Sequence, residues 1–233
     1  MTSETIIVAI DGPSGVGKST VAEAVARRLG LPFLETGAMY RALGWEVYEG
    51  KIDPHDRSQV ERAAEDLDLE LRAQADGSVE VLLSGRRLDV SARLPRVSEI
   101  TSQTSSYPAV RRKMVSLQRR FAERRGAVME GRDIGTKVFP ETPHKFFLTA
   151  PLEVRVQRRI EQLERAGKTG LSVAAIEAEV AERDARDTQR QESPLTLDAS
   201  YTVIDTGELS AQEAVDFIVA RVERLTQTPA ADC

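Results

Sequence analysis

The chain has 233 residues, of which 41% are hydrophobic and 30% charged, with a formal net charge of −5. This composition is typical of a soluble globular domain with a sizeable core, and it excludes a disordered chain. The negative charge argues against a surface that coats nucleic acid, and no apolar run reaches the length of a membrane span. The only cysteine is Cys233 and the start of the chain lacks a basic signal-peptide pattern, so we expect a cytoplasmic protein.

The chain opens with a strand, a glycine-rich turn and a helix. Residues 5–10 are a continuous apolar run rich in β-branched side chains, which is typical of a strand buried in a parallel sheet. After the turn, Val21, Val25 and Leu29 recur at four-residue spacing, which predicts a helix that ends at Gly30. A short strand with its turn and two helices follow, predicted at 31–37, 38–48 and 54–66.

The pattern then changes to that of an antiparallel meander. Apolar residues alternate with polar ones at 67–71 and again at 79–83, and Asp76-Gly77 between them is a strong hairpin signal. A third strand is predicted at 86–90. We therefore expect a small antiparallel β insert at about 67–90, attached to one edge of the main sheet.

The second half of the chain again alternates helices and strands. Helical patterning runs from about 98 to 125 with a break near Pro108, and the final helix starts at the capping box Ser210 to Glu213 and ends near residue 225. Between them lie predicted strands at 127–129, 145–148 and 201–204, a helix at 151–165 and an arginine-rich helix that opens near Ser172. This alternation predicts an α/β fold, a parallel sheet covered by helices on both faces.

The turn after the first strand fits the phosphate-loop pattern G-x-x-x-x-G-K-[ST]. Glycines let the backbone approach phosphate oxygens with its N–H groups, and the start of the next helix adds the positive end of its dipole. In this pattern Lys18 reaches the β- and γ-phosphates and Ser19 can ligate Mg²⁺. A chance match in an ordinary strand–helix turn is the alternative, but the strand and helix that the motif requires are both present. The predicted loop comprises Gly12, Pro13, Ser14, Gly15, Val16, Gly17, Lys18 and Ser19.

Four motifs in this order resemble those of the bacterial cytidylate kinases, at 10–20, 36–41, 131–136 and 183–190. The resemblance covers about residues 6–225. It implies a single P-loop kinase domain over 1–233, with a monophosphate-binding region at about 36–112 and a helical lid at about 155–190. It also implies transfer of a phosphoryl group from ATP to CMP or dCMP with Mg²⁺. We expect a monomer whose partners are these nucleotides, with no nucleic acid and no membrane.

The resemblance also implies roles for individual residues. Lys18, Arg132, Arg159 and Arg190 correspond to catalytic positions, and Thr20, Arg155 and Arg158 join the phosphate loop in binding ATP. The positions that bind the monophosphate correspond to Arg41, Arg132 and Arg190, and the position of Thr36 lies close to the nucleotide. Ser102, Arg111 and Asp133 match positions that contact the cytosine edge, and Arg183 and Asp187 match positions at the ribose. Three arginines around one monophosphate would repel one another, so we expect the empty pocket to be poorly ordered.

Several alternatives remain open at this point. The arginines of 183–190 could form a solvated, salt-bridged helix face, and His55 and His144 are expected at the surface. A P-loop kinase for a small-molecule alcohol would use Asp133 as its base, whereas a nucleotide switch would need a guanine-binding N-K-x-D motif, which the sequence lacks. Asp11, Glu130 and Asp133 are equal candidates for an acidic partner of Mg²⁺.

Overall fold

The computed structural model describes residues 5–88, 94–165, 167, 170 and 172–227. Two sheets organise this part of the chain. The strands are β1 (Ile7–Asp11), β2 (Phe33–Glu35), β3 (Leu69–Ala73), β4 (Val79–Leu83), β5 (Arg86–Arg87), β6 (Ala127–Gly131), β7 (His144–Thr149) and β8 (Thr202–Asp205). The helices are α1 (Lys18–Leu29), α2 (Thr36–Glu49), α3 (Arg57–Asp66), α4 (Pro95–Thr104), α5 (Pro108–Ala122), α6 (Leu152–Arg165), α7 (Val173–Gln189) and α8 (Ala211–Gln227).

The main sheet has five parallel strands in the order β2-β6-β1-β7-β8, which confirms the predicted parallel sheet. Its central strand β1 is buried on both faces. Val8 and Ile10 belong to a cluster with side chains of α1 and α8, whereas Ala9 belongs to a second cluster with α2, α3 and α5. This two-sided burial explains why the strand is a continuous apolar run. None of the helices described is long and apolar enough to cross a membrane.

The antiparallel insert is present and lies at the predicted edge. Its strands pair in the order β3-β4-β5, and the turn at Asp76-Gly77 separates β3 from β4. The turn meets the edge strand β2, where Phe33 N donates to Gly77 O at 2.9 Å. The third strand is shorter than predicted, ending at Arg87, and residues 89–93 lie outside the described part of the chain.

The ends of several helices follow local signals in the sequence. Gly30 caps α1 in the left-handed region, and a break between α4 and α5 precedes Pro108, which occupies the first turn of α5. The predicted capping box also forms, with Ser210 N donating to Glu213 Oε2 at 2.8 Å. Two features were missed: α2 begins at Thr36 rather than 38, and a π-helical turn follows β6 at Ile134–Val138.

A buried carboxylate joins the ends of separate chain segments. Asp11, the last residue of β1, accepts from Ile134 N at 3.0 Å, Gly135 N at 2.9 Å and the Tyr201 hydroxyl at 2.7 Å. Burial raises the pKa of Asp11 to about 6 and these donors partly offset the effect, so the group is ionised at neutral pH. The contact fixes the turn after β6 and the start of β8 against the end of β1.

We expect Asp11→Ala to lower the free energy of unfolding by roughly 3 kcal/mol or more, because buried donors lose their acceptor. Tyr201→Phe removes only one donor and should cost about 1 kcal/mol. Urea denaturation of both variants at pH 7.5 measures the difference. Equal stability of wild type and Asp11→Ala would contradict this role.

Candidate active site

The phosphate loop lies at the carboxyl end of β1, where parallel α/β sheets bind ligands. Gly12 has φ +150°, and a Cβ there would lie 2.2 Å from Leu148 O, so only glycine fits. Gly15 has φ +79°, and a Cβ there would lie 3.1 Å from the Cβ of Arg155. The loop therefore passes tightly between β7 and α6, so packing as well as phosphate access favours glycine at Gly12 and Gly15.

Lys18 is a buried cation at the start of α1. Its Nζ donates to Pro13 O at 2.6 Å, which turns the side chain back across the loop. Burial, followed by the charge of Arg132, lowers the pKa of Lys18 to about 7, and Glu130 partly opposes this. A phosphate anion beside Lys18 would restore its positive charge, so the site favours an anionic ligand.

Glu130, the fourth residue of β6, is the acidic residue closest to the loop hydroxyl. Ser19 Oγ donates to Glu130 Oε1 at 2.6 Å, and burial raises the pKa of Glu130. Asp11 is occupied by its own donors, and Asp133 is paired elsewhere, with Arg111. The structure thus separates three acids that the sequence left equivalent. Thr36 lies beside Glu130 as well, because its hydroxyl donates to Glu130 O at 2.7 Å.

A buried ion pair lies on the other side of β6. Arg111 of α5 donates to Asp133 Oδ2, and their side chains are only 6% and 5% exposed. The Arg111 guanidinium also lies over the Tyr40 ring, 4.9 Å from its centroid. Arg190 Nη2 is 4.0 Å from the other oxygen, Asp133 Oδ1, and is buried without a hydrogen-bond partner among the described residues. Such buried donors suit a polar ligand.

Asp187 of α7 connects two of the predicted phosphate-binding arginines. It accepts from Arg132 Nε at 2.7 Å and lies 3.7 Å from Arg190 Nη1. Burial alone would raise the pKa of Asp187, but Arg132 and Arg190 hold it below its ordinary value. Arg41 is likewise paired, with Glu35 at 2.6 Å. The repulsion expected among the arginines is therefore relieved by internal carboxylates.

Arg183 differs from its neighbours because it makes no hydrogen bond or ion pair with any described residue. Its side chain reaches the surface. Partial loss of hydration, followed by the charge of Arg132, lowers the pKa of Arg183 to about 10, and Arg159 and Arg41 act in the same direction. Arginines that destabilise one another's charge in this way form a ready site for a phosphate group.

The three arginines predicted in the lid have different partners. Arg155 is buried under the phosphate loop, where it donates to Ala150 O and Ser14 O, so it differs from a lid arginine that points at ATP. Arg158 donates to Thr206 O at 2.7 Å and is also held between the loop and β8. Arg159 joins α6 to α7, where it contacts Glu179 at 2.9 Å.

His144 departs from the sequence-based expectation, because it is buried rather than at the surface. Ser102 lies on α4, and among the described residues its hydroxyl makes no hydrogen bond. Sequence reasoning missed Glu35, Tyr40 and Asp184, although all three lie beside or inside the quoted motifs. In the described part of the chain, no cluster of three His, Cys, Asp or Glu residues could hold a metal alone.

The fold and the loop define a P-loop α/β protein whose phosphate loop faces an arginine-rich anion site. The family model described as Cytidylate kinase matches residues 8–224, and the chain belongs to this family. A cytidylate kinase of Caldanaerobacter subterraneus subsp. tengcongensis is 39% identical over 227 residues, which are 97% of this chain and 99% of that protein. A cytidylate kinase of Symbiobacterium thermophilum is also 39% identical, over 94% of this chain and 96% of that one.

Some relatives are longer than this chain. A bifunctional pantoate ligase/cytidylate kinase of Synechococcus sp. strain WH7803 is 43% identical over 90% of this chain, which spans only 43% of that relative. Among solved structures, an uncharacterized protein from Eubacterium ventriosum ATCC 27560 matches with a TM-score of 0.53 and 16% identity, over 95% of this chain and 99% of that one. This structural likeness shows the fold alone.

Proposed function

We propose that this chain transfers the γ-phosphoryl group of ATP to CMP, and to dCMP, giving ADP and the nucleoside diphosphate. One observation carries the proposal. Glu130 contacts the phosphate loop, and the arginine-rich anion site lies beyond it, next to the buried Arg111–Asp133 pair. Family membership and the names of the relatives support the same reaction. We further propose a cytoplasmic monomer with a monophosphate-binding region at about 36–112 and a lid at about 155–190.

The reaction requires the protein to align the two substrates and to neutralise their negative charge. The acceptor is a phosphate oxygen with a second pKa of about 6, so it is ionised at neutral pH and needs no general base. Phosphoryl transfer then depends on alignment and on neutralising charge in the transition state. Lys18 holds the donor phosphates. Lys18 and Arg159 neutralise the transferring group. Arg41, Arg132 and Arg190 hold the acceptor phosphate once it replaces Glu35 and Asp187.

Ser19 and Glu130 would hold Mg²⁺. The fit is supported by their 2.6 Å contact at the loop, because hydroxyl and carboxylate oxygens are the ligands that Mg²⁺ prefers. When bound, the ion neutralises phosphate charge. Glu130 sits at the end of a buried strand, so its carboxylate is held towards Ser19 without rearrangement of the backbone.

An alcohol acceptor is less consistent with the site. It would require a free base, and the candidate Asp133 already accepts from the Arg111 guanidinium. The remaining oxygen, Asp133 Oδ1, is still able to accept from an exocyclic amine such as cytosine N4. The same geometry therefore favours Asp133 as a base-reading residue.

A coupled ADP-release assay with ATP and each nucleoside monophosphate in turn tests the function. We expect CMP and dCMP to be the best acceptors, and Lys18→Ala to lower kcat by about 10²- to 10³-fold because the developing charge loses its cation. The exposed Lys51 offers the matched control, Lys51→Ala, which should leave kcat unchanged. Turnover with a sugar alcohol but not with CMP would overturn the proposal.

ATP binding should take up a proton at pH 8. Free Lys18 has a pKa of about 7 and is mostly neutral there, whereas bound phosphates raise its pKa and charge it. Calorimetry in buffers of different ionisation enthalpy measures the uptake. Lys18→Arg is the control, since arginine stays charged and should abolish the uptake. Equal proton uptake by both proteins would contradict the lowered pKa.

Asp133→Asn should weaken discrimination between CMP and UMP. A carboxylate accepts from the cytosine N4 amine but opposes uracil O4, whereas an amide can donate to O4. The lost preference should be roughly 10- to 100-fold in the ratio of kcat/KM values, equivalent to about 1–3 kcal/mol. Asp187→Asn is the matched control and should reduce both substrates equally. An unchanged ratio in Asp133→Asn would leave Asp133 as a structural partner of Arg111.

A further inference from the structure

Asp184 of α7 contacts the phosphate loop directly, although 170 residues separate it from Ser14. Its Oδ1 accepts from Ser14 N at 3.1 Å, and its Oδ2 accepts from Arg155 Nη1. The same Arg155 nitrogen donates to Ser14 O at 3.2 Å. Both backbone polar atoms of Ser14 are thus held by one ion pair, whose two members come from α6 and α7. We call this arrangement the Ser14 bracket.

The bracket is packed tightly enough to fix the loop. The side chains of Arg155 and Asp184 are 11% and 19% exposed. Arg155 Nε also donates to Ala150 O at 3.1 Å, so the arginine is anchored to the end of β7 as well. A Cβ on the next loop residue, Gly15, would lie only 3.1 Å from Arg155 Cβ. Hydrogen-bonded charges with this little freedom hold the peptide at Ser14 in one orientation.

The bracket also connects the loop to the acceptor side. Asp184 and Asp187 are one helical turn apart on α7, so they lie on the same face of the helix. Asp184 contacts Ser14 on the donor side, whereas Asp187 contacts Arg132 on the acceptor side. Each carboxylate therefore fixes a different substrate site from a single rigid element.

We propose that Asp184 is a positioning residue for the ATP site, which through the Ser14 bracket sets the orientation of the phosphate loop. The proposal rests on the proposed function, because it assumes that the loop binds ATP. A carboxylate that only competed with phosphate for the Ser14 N–H would need no second contact at Ser14 O. Here Arg155 neutralises the Asp184 carboxylate and also donates to Ser14 O. This arrangement favours a role for Asp184 in positioning the loop over competition with ATP.

Steady-state kinetics with Asp184→Ala tests the proposal. We expect kcat/KM for ATP to fall about 10- to 100-fold, because a small misplacement of the loop misaligns the donor, while KM for CMP stays unchanged. Asp184→Asn keeps an acceptor for Ser14 N–H but loses the charge beside Arg155. Its kcat/KM for ATP should therefore fall as well, but by less than that of Asp184→Ala. Glu177→Gln, which removes an exposed charge from α7, is the control and should behave as wild type.

Several results would overturn the proposal. If Asp184→Ala weakened ATP and CMP equally, Asp184 would only stabilise α7, since Asp187 on that helix serves the CMP side. Tighter ATP binding would identify a competing anion, and unchanged kinetics would remove any role. If Asp184→Ala does not fold, Asp184→Asn with normal ATP kinetics and an unshifted Ser14 amide resonance would also overturn it.

ATP affinity measured by calorimetry without acceptor separates this proposal from the proposed function. If wild type failed to phosphorylate CMP, the proposed function would be wrong. The ATP affinities of wild type and the Asp184 variants would still decide the role of Asp184.

Discussion

The buried carboxylate of Asp11 is the constraint on which the geometry of the site depends. It ends β1 immediately before the phosphate loop, and it accepts from the two amides that open the turn after β6. Arg132 and Asp133 lie between β6 and that turn, so donor and acceptor sites are held at a fixed spacing by hydrogen bonds that water cannot reach. The hydroxyl of Tyr201, the residue before β8, donates to the same carboxylate. A charge-assisted contact of this kind is stronger than a neutral one and sets a single arrangement.

The arginines of the site are kept compatible with folding by matched carboxylates. Arg41 pairs with Glu35, Arg111 with Asp133, Arg132 with Asp187 and Arg155 with Asp184. Counting cations along the sequence predicted repulsion in the empty pocket, but it could not reveal these partners, most of which are distant in the chain. The consequence for binding is an exchange: an incoming phosphate must replace an internal carboxylate. Affinity is then set by the difference between two ion pairs, which favours reversible binding.

Local patterns in the sequence predicted most of the fold and only part of the site. The phosphate loop, the end of α1 at Gly30 and the break before Pro108 depend on residues close together in the chain, and they were predicted correctly. The π-helical turn at Ile134–Val138 has no such signal, because it forms where amides meet Asp11 across 123 residues. Arg155 was assigned to the lid for the same reason: an arginine-rich helix does not reveal which face packs under the loop.

The helix α7 connects the donor and acceptor sides of the site. Asp184 and Asp187 lie one turn apart, and Arg190 at the carboxyl end of the helix lies beside Asp133. Because one helix carries all three groups, it cannot leave the donor loop without also disturbing the acceptor arginines. Asp187 accepts from Arg132 at 2.7 Å and lies 3.7 Å from Arg190. The carboxylate that keeps these two arginines compatible with folding thus also holds them in place, on the same helix that supports the donor loop through Asp184.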